Sequence, residues 1–379
     1  MQPHHLTRRG TLAGMSAAGL TLCAGCLGGG DDDEDEPEYV PEVPMVEDPP
    51  ERVYLPTHYE SMRMLEPVEA GEYRIGPAIS YPHQFWLVDG TDTEAVVPED
   101  AKGVHLMFTV WDPETQLVLP VESGAEVVIE RDGESVGTPL TPWPMVTQEM
   151  GFHFGDNVTL PEDGTYEVTV DLPPLAAEGT GEIADRFEAG GSASFEFTYD
   201  EDFRHEVIGG LTYYDEEYWG EPGAMVPMDE HDGGHDHGDH VEIPYSRAPD
   251  PADLPGDPLE PTAEEATTGD AVFVATLLEA DTRFDDERYL LVSPRTPYNE
   301  VPLSDMSLAV EVGVDRLGLT ERIDHAAGLH YGTGVVALEP GSTIEVVIET
   351  PPQVARHQGY ETAFLDMGSV GFELPAELP

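Results

Sequence analysis

One pattern occurs twice in the sequence, and it restricts the folds that the chain can adopt. The segment GFHFGDNVTLPEDGTYEVTVDLPP at 151–174 matches GLHYGTGVVALEPGSTIEVVIETPP at 328–352, with one residue inserted. Both begin with Gly-x-His-aromatic-Gly and end with Pro-Pro, and a looser match links 119–129 to 301–312. Such a repeat predicts two copies of one domain, and a hairpin that recurs by chance is the alternative.

Short runs along the chain alternate apolar and polar residues. VHLMFTVW, AEVVIERDGESV and TYEVTVDLPP have the period of half-buried strands, and Asp-Gly and proline turns separate them. We find no convincing helical pattern between these runs, so the sequence predicts an all-β fold with two antiparallel β-sandwich domains. We place the first sandwich at 51–200 and the second at 268–376, with an insertion or linker at 201–267.

The first 26 residues have the layout of a twin-arginine lipoprotein signal peptide. An arginine pair precedes the apolar stretch TLAGMSAAGLTL, and Cys26 follows small residues. This stretch is shorter than the roughly 20 residues that span a bilayer, so we expect cleavage of the leader and lipidation of Cys26. Residues 27–50, which are acidic and proline-rich, are then expected to form a disordered tether at the outer face of the membrane.

Charge and cysteine content exclude several classes of function. The formal net charge is −61, which argues against a nucleic-acid partner because a phosphate backbone would be repelled. Such self-repulsion is tolerated where molar salt shortens the Debye length to about 3 Å, so we expect a halophilic protein of the haloarchaeal type. Both cysteines lie in the leader, which excludes disulfides from the mature chain and leaves His, Met, Asp and Glu as metal ligands.

The segment PWPMVTQEMGFHFGDN contains the first candidate ligands. Met145 and His153 lie on either side of a predicted turn, where a thioether and an imidazole together suit a soft or borderline metal such as copper, and iron less naturally. The alternative is that Met145 packs in the core while His153 caps the turn. A metal protein requires both side chains in one pocket, whereas a structural module can bury Met145 and leave His153 exposed and alone.

This segment, with its H-aromatic-G-x-N-V-x-L run, D-G-x-Y strand and Pro-Pro exit, resembles the periplasmic ferrous-iron transport protein family. The resemblance covers roughly residues 100–200. It implies an immunoglobulin-like sandwich in which a Met and several His bind copper or iron beside an iron permease. Met145 and His153 match the family's Met and His, His105 is similar to a His that opens an early strand, and His83 is a rival for that position.

The two copies depart from the family pattern in opposite ways. The family has a further His soon after Pro-Pro, and the first copy has none there. The second copy has His330 at the repeated position and His357 after its Pro-Pro, but it has no Met before the turn, where His325 is the nearest substitute. Neither copy therefore contains the whole ligand set.

The insertion contains EHDGGHDHGDH, in which imidazole and carboxylate alternate closely enough to wrap a divalent cation. Its histidines are His231, His235, His237 and His240. A solvated acidic loop that binds nothing is the alternative. We hypothesise that this loop collects a divalent or cuprous ion and passes it to Met145 and His153, and that the missing ligand of the first copy comes from this loop or from the second copy.

These features predict a cell-surface metal-binding lipoprotein that acts in iron or copper acquisition. Its expected partners are the membrane, through the lipid anchor, an iron permease and a second copy of the chain. The alternative is a non-catalytic β-sandwich module for surface structure or protein binding. The sequence contains no G-x-S-x-G, P-loop, dinucleotide or H-E-x-x-H motif, so we do not expect an enzyme. Asn157 begins a glycosylation sequon.

Overall fold

The period-two runs form strands, and the predicted all-β class with antiparallel sheets is confirmed. A computed structural model describes residues 43–98, 102–119, 124–230, 243–251 and 254–379. All of these residues belong to one compact unit, Tyr39–Pro379. The described residues include no helix that is long and apolar enough to cross a membrane.

The strands of the first half of the chain are β1 (His58–Tyr59), β2 (Met62–Met64), β3 (Val68–Ala70), β4 (Tyr73–Ser80), β5 (Phe85–Asp89), β6 (Asp92–Val96), β7 (Gly103–Trp111), β8 (Glu126–Arg131), β9 (Glu134–Ser135), β10 (Trp143–Thr147), β11 (Gly151–Thr159), β12 (Gly164–Leu172), β13 (Glu178–Thr180), β14 (Gly191–Tyr199) and β15 (Thr212–Tyr213). The strands of the second half are β16 (Gly256–Pro258), β17 (Glu260–Pro261), β18 (Thr267–Thr268), β19 (Ala271–Leu278), β20 (Arg288–Arg295), β21 (Ser307–Val312), β22 (Asp315–Asp324), β23 (Gly328–Val335), β24 (Thr343–Thr350), β25 (Ala355–Arg356) and β26 (Val370–Glu373).

The two halves repeat the same strand order. In the first half β4, β7, β11 and β10 are neighbours in one sheet, and β8, β12 and β14 are neighbours in another. In the second half the corresponding orders are β19, β20, β23, β22 and β21, β24, β26. The order of neighbours therefore supports a duplicated unit, as the repeat predicts. The Gly-x-His motif opens β11 and β23 and does not itself form the turn.

The sheet that contains β7 is covered on both faces. Every residue of β7 is buried, whereas β12 and β14 alternate buried and exposed positions because one face of their sheet meets solvent. Leu106, Phe108, Phe152 and Phe154 point into the main hydrophobic core. The intervening side chains of β7 and β11, starting with His105, therefore face the opposite, also buried, side of the sheet.

Each half contributes one strand to the sheet of the other. After its Pro-Pro, the second copy supplies β25, which pairs in parallel with β10. After its own Pro-Pro, the first copy supplies β13, which pairs in parallel with β22. This reciprocal exchange brings the segment that follows β25 onto the outer face of the first copy's sheet.

Two segments differ from the sequence predictions. The segment predicted as an insertion begins with helix α1 (Glu201–Gly209), which the sequence pattern did not predict. Phe203 and Val207 are its buried residues, one turn apart, and the Asp200 side chain accepts a hydrogen bond from the Phe203 N–H as an N-cap.

Residues 43–50, predicted as tether, contact the folded body, since the carbonyl of Pro44 accepts a hydrogen bond from the Thr57 hydroxyl. Single 3₁₀ turns lie at Gly181–Ile183, Glu216–Tyr218 and Met228–Glu230.

Candidate metal centre

The hairpin of β10 and β11 brings the first two candidate ligands together. Met145 lies directly opposite His153 in the register, so both side chains project from the same face of the sheet. Both residues are completely buried. His153 is therefore not the exposed, solitary side chain that a structural module would have.

His357, which belongs to the second copy, covers this face of the sheet. The β10–β25 register places Ala355 beside Met145, and His357 lies two residues further along the chain. Its Nε2 stands 3.4 Å from the Met145 sulfur, and its Nδ1 stands 3.2 Å from His83 Nε2. The second copy thus supplies an imidazole after Pro-Pro where the first copy has none.

Three imidazoles in this region are close enough to share one ion. One ring nitrogen from each of His83, His105 and His357 lies within 4.8 Å of the others. The ring centroids of His83 and His105 are 4.1 Å apart, and those of His153 and His357 are 5.6 Å apart. We call this group the metal centre, and its members are Glu60, His83, His105, Met145, His153 and His357.

Backbone carbonyls fix the orientation of two of these rings. His153 Nδ1 lies 3.2 Å from the carbonyl oxygen of Gly151, and His83 Nδ1 lies 3.0 Å from that of Tyr81. A carbonyl oxygen only accepts hydrogen bonds, so Nδ1 carries the proton in both rings and Nε2 keeps its lone pair. Metal-binding histidines are oriented in this way in most proteins.

Asn157 orients the third ring. Its Nδ2 donates to the carbonyl of His83 at 2.8 Å, which leaves its Oδ1 to accept from His105 Nδ1 at 3.0 Å. His105 therefore also presents an unprotonated Nε2. The Asn157 nitrogen to which a glycan would be attached is engaged in holding the centre.

Two of these lone pairs are left bare. Within the described residues, no hydrogen-bond partner reaches the buried Nε2 atoms of His105 and His153. Burying a polar atom without a partner costs free energy, which binding of a cation would recover. The residues therefore fit a metal ion, with imidazole nitrogens and one thioether as donors.

Burial keeps the imidazoles in the form that binds metal. It lowers the pKa of His83 to about 4 and that of His153 to about 3, and it lowers the pKa of His105 well below its usual value. These rings are neutral at pH 7, so a cation does not have to displace protons from them.

Glu60 supplies the negative charge of the centre. Its Oε1 lies 3.4 Å from both His83 Nε2 and His357 Nδ1. Burial acts to raise the pKa of Glu60, but the imidazoles of His83 and His357 outweigh it and hold this pKa well below the usual range. A carboxylate at this place partly neutralises a bound cation.

Gly155 leaves space in the middle of the metal centre because it has no side chain. A Cβ atom at this position would stand 3.0 Å from His105 Nε2 and 3.2 Å from the Met145 sulfur. We expect Gly155→Ala to weaken Cu(I) binding by about tenfold or more, because the methyl group occupies the space between donors. A competition titration with a chromophoric chelator measures this affinity.

Gly318→Ala is the matched control, because Gly318 also lies in a strand and an added Cβ there meets no atom within 4 Å. An alanine at 155 that binds Cu(I) as tightly as the control would show that the ion does not lie between His105 and Met145.

The structure brings together five of the residues that the sequence singles out: His83, His105, Met145, His153 and His357. His83 and His105, which are alternatives for one ligand position in the sequence, both lie in the metal centre. His330 is buried far along the other sheet, against Phe284 and Tyr289. Cys26 and the four histidines of 231–240 lie outside the described residues, and their predicted roles stay predictions.

Sequence reasoning missed Glu60. The signal for it is His58-Tyr59-Glu60, since residues two apart on a strand share a face. His58 adds to the polar lining, with Nε2 3.1 Å from the Tyr81 hydroxyl.

The second copy has the same strand registers as the first copy but different side chains at the donor positions. Arg322 pairs with His330 where Met145 pairs with His153, and Tyr289 occupies the register position of His105. The position of His357 is taken by a threonine, Thr180.

These replacements remove the metal site from the second copy. The Arg322 guanidinium stacks over the Tyr289 ring at 5.5 Å and donates to Glu178. A fixed positive charge repels a metal cation, and a phenol is a poor substitute for imidazole at neutral pH. His330 alone remains, with its Nδ1 donating to the Gly328 carbonyl as His153 does to Gly151.

Comparisons with known proteins give one family model and several solved structures. A family model described as a domain of unknown function (DUF7350) matches residues 252–373, which include most of the predicted second sandwich at 268–376. No curated protein matches the chain at a significant level.

Two solved structures of FetP from a uropathogenic Escherichia coli strain are similar to part of the chain. A copper-bound variant is 20% identical and covers 36% of this chain and 97% of its own, with a TM-score of 0.27. The as-isolated protein is 21% identical and covers 38% and 95%, with a TM-score of 0.26. Superpositions this loose carry no argument about the centre, which rests on its own geometry.

Proposed function

We propose that this protein captures a copper or ferrous ion at the outer surface of a cell and delivers it to a permease in the same membrane. The observation that carries the proposal is the buried convergence of preoriented imidazoles with one thioether. His105 and His153 each present an Nε2 without a partner among the described residues, and Met145 lies opposite His153 in the strand register. A site built only for stability would not leave these atoms unpaired.

The donor set favours copper as the cargo. A thioether is a soft ligand that selects Cu(I), and imidazole suits copper, zinc and iron alike. Glu60 adds one hard oxygen, which is the group that would let ferrous iron compete. The centre has no water-exposed ring of carboxylates such as calcium and magnesium require.

The proposed location rests on the leader and not on the fold. A twin-arginine signal followed by Cys26 supports export and lipid anchoring. An anchored metal-binding protein shares a surface with any permease in that membrane, and this proximity raises the effective concentration of cargo at the permease.

A titration of the full chain tests the proposal. The four histidines of 231–240 are first replaced by asparagine, because they can bind metal independently. We expect one tight equivalent of Cu(I) per chain under anaerobic conditions, and weaker binding of Fe(II). His330→Asn is the matched control, since His330 is equally buried and should leave the tight equivalent unchanged.

Loss of the tight equivalent after the four asparagine substitutions would assign binding to 231–240 and overturn the proposal for the metal centre. Retention of it, together with a Cu(I)-dependent rise in the unfolding temperature, is the supporting result.

A further inference from the structure

A pocket opens beside the metal centre, between β2 and the turn at 148–150. Four methionines line it, together with groups that carry nitrogen or oxygen donors. The lining methionines are Met62, Met107, Met150 and Met225. Glu60 and His357 belong to both the pocket and the centre, so the two spaces adjoin.

Methionine is concentrated in this part of the molecule. Of the twelve methionines in the chain, Met145 lies in the centre and four more line the pocket. Met64 and Met228 pack against the buried pair Met107 and Met150. Methionine commonly fills irregular gaps in a core, and here the four side chains also border the pocket.

We propose that this pocket is a second, weaker binding site for a cuprous ion, from which the ion passes into the metal centre. This inference rests on the proposed function and identifies the route and the oxidation state of the cargo. Thioethers are uncharged and soft, so they bind Cu(I) and discriminate against ferrous, magnesium and calcium ions. His357 borders both spaces, so one ligand can remain near the ion as it moves.

The residues that line the pocket favour a cation over an anion. None of its described lining residues is a lysine or an arginine. Glu149 Oε2 accepts a hydrogen bond from the backbone N–H of Glu60 at 3.0 Å. The carboxyl group of Glu60 lies at the junction of the two spaces, where it offers an acidic partner to a cation.

Anaerobic Cu(I) titration tests this route, in the full chain with the four histidines of 231–240 replaced by asparagine. We expect two equivalents in this background, and loss of the weaker one when Met62, Met150 and Met225 are each replaced by leucine. Leucine conserves volume, so the fold should survive. Stopped-flow loading of the tight site should be slower by about tenfold in this variant, since a weak relay site is removed.

Two further variants separate the outcomes. Met306→Leu/Met367→Leu is the matched control, because both residues pack elsewhere on the core, and it should retain two equivalents. His153→Asn should lose the tight equivalent and keep the weak one, with sulfur scattering in the copper X-ray absorption spectrum.

A background protein that binds one equivalent and loads at the same rate with or without the three methionines overturns the pocket and leaves the proposed function intact. A background protein that binds no Cu(I) overturns both. If the triple leucine variant unfolds, Met62→Leu alone, at a half-buried position, must still slow loading for the inference to hold.

Discussion

Replacing His357 by alanine should weaken Cu(I) binding by at least about 100-fold, since even loss of a residue that only orients a ligand costs 10–100-fold. His357 Nε2 stands 3.4 Å from the Met145 sulfur, and its Nδ1 stands 3.2 Å from His83 Nε2. Its removal opens the centre on the side that the second copy covers. A competition titration of the metal-free protein measures the loss.

His330→Ala is the control for this substitution. It deletes an imidazole of the same kind, completely buried in the second copy, and should change Cu(I) affinity little. Thermal unfolding of both metal-free variants shows whether each still folds. A His357→Ala protein that folds and binds Cu(I) within threefold of the wild type would exclude His357 as a ligand.

Acid should destabilise the metal-free protein strongly between pH 6.5 and pH 4. The folded-state pKa values of His83 and His330 are about 4, and that of His153 is about 3, because burial disfavours the charged ring. An unfolded histidine titrates near pH 6.5. Below that pH the unfolded state binds protons that the folded state does not, so the free energy of unfolding falls as pH falls.

His330 allows this effect to be measured away from the metal centre. A lowering of its pKa from 6.5 to about 4 corresponds to about 3 kcal/mol of stability lost over this range. The free energy of unfolding in urea at pH 7 and pH 4 should therefore differ by about 3 kcal/mol less in His330→Asn than in the wild type. An unchanged difference would show that His330 is protonated in the folded protein.

Local patterns predict part of this centre and fail for the rest. Met145 and His153 are predictable because they belong to one hairpin, where spacing across a short turn determines which side chains are opposite. His357 can be selected from the repeat, but its place beside Met145, 212 residues away in the chain, depends on the parallel pairing of β10 with β25. No local signal specifies that pairing.

The second copy shows the same limit of local sequence patterns. His330 looks like a ligand because its motif matches that of His153. Only the register of β22 with β23 reveals that Arg322 stands where a thioether would be required. Alignment of the two copies by strand register, rather than by residue spacing, distinguishes the copy that carries the candidate metal centre from the copy that lacks its donors.

The reciprocal exchange of β13 and β25 also sets the order of events during synthesis. The centre joins His83 to His357, 274 residues later in the chain, so an emerging polypeptide cannot assemble it until most of its length has left the ribosome. Contacts this distant in sequence form slowly, because the entropy cost of closing the intervening loop comes before any stabilising contact. A nascent chain therefore lacks the complete set of candidate ligands until translation is nearly finished.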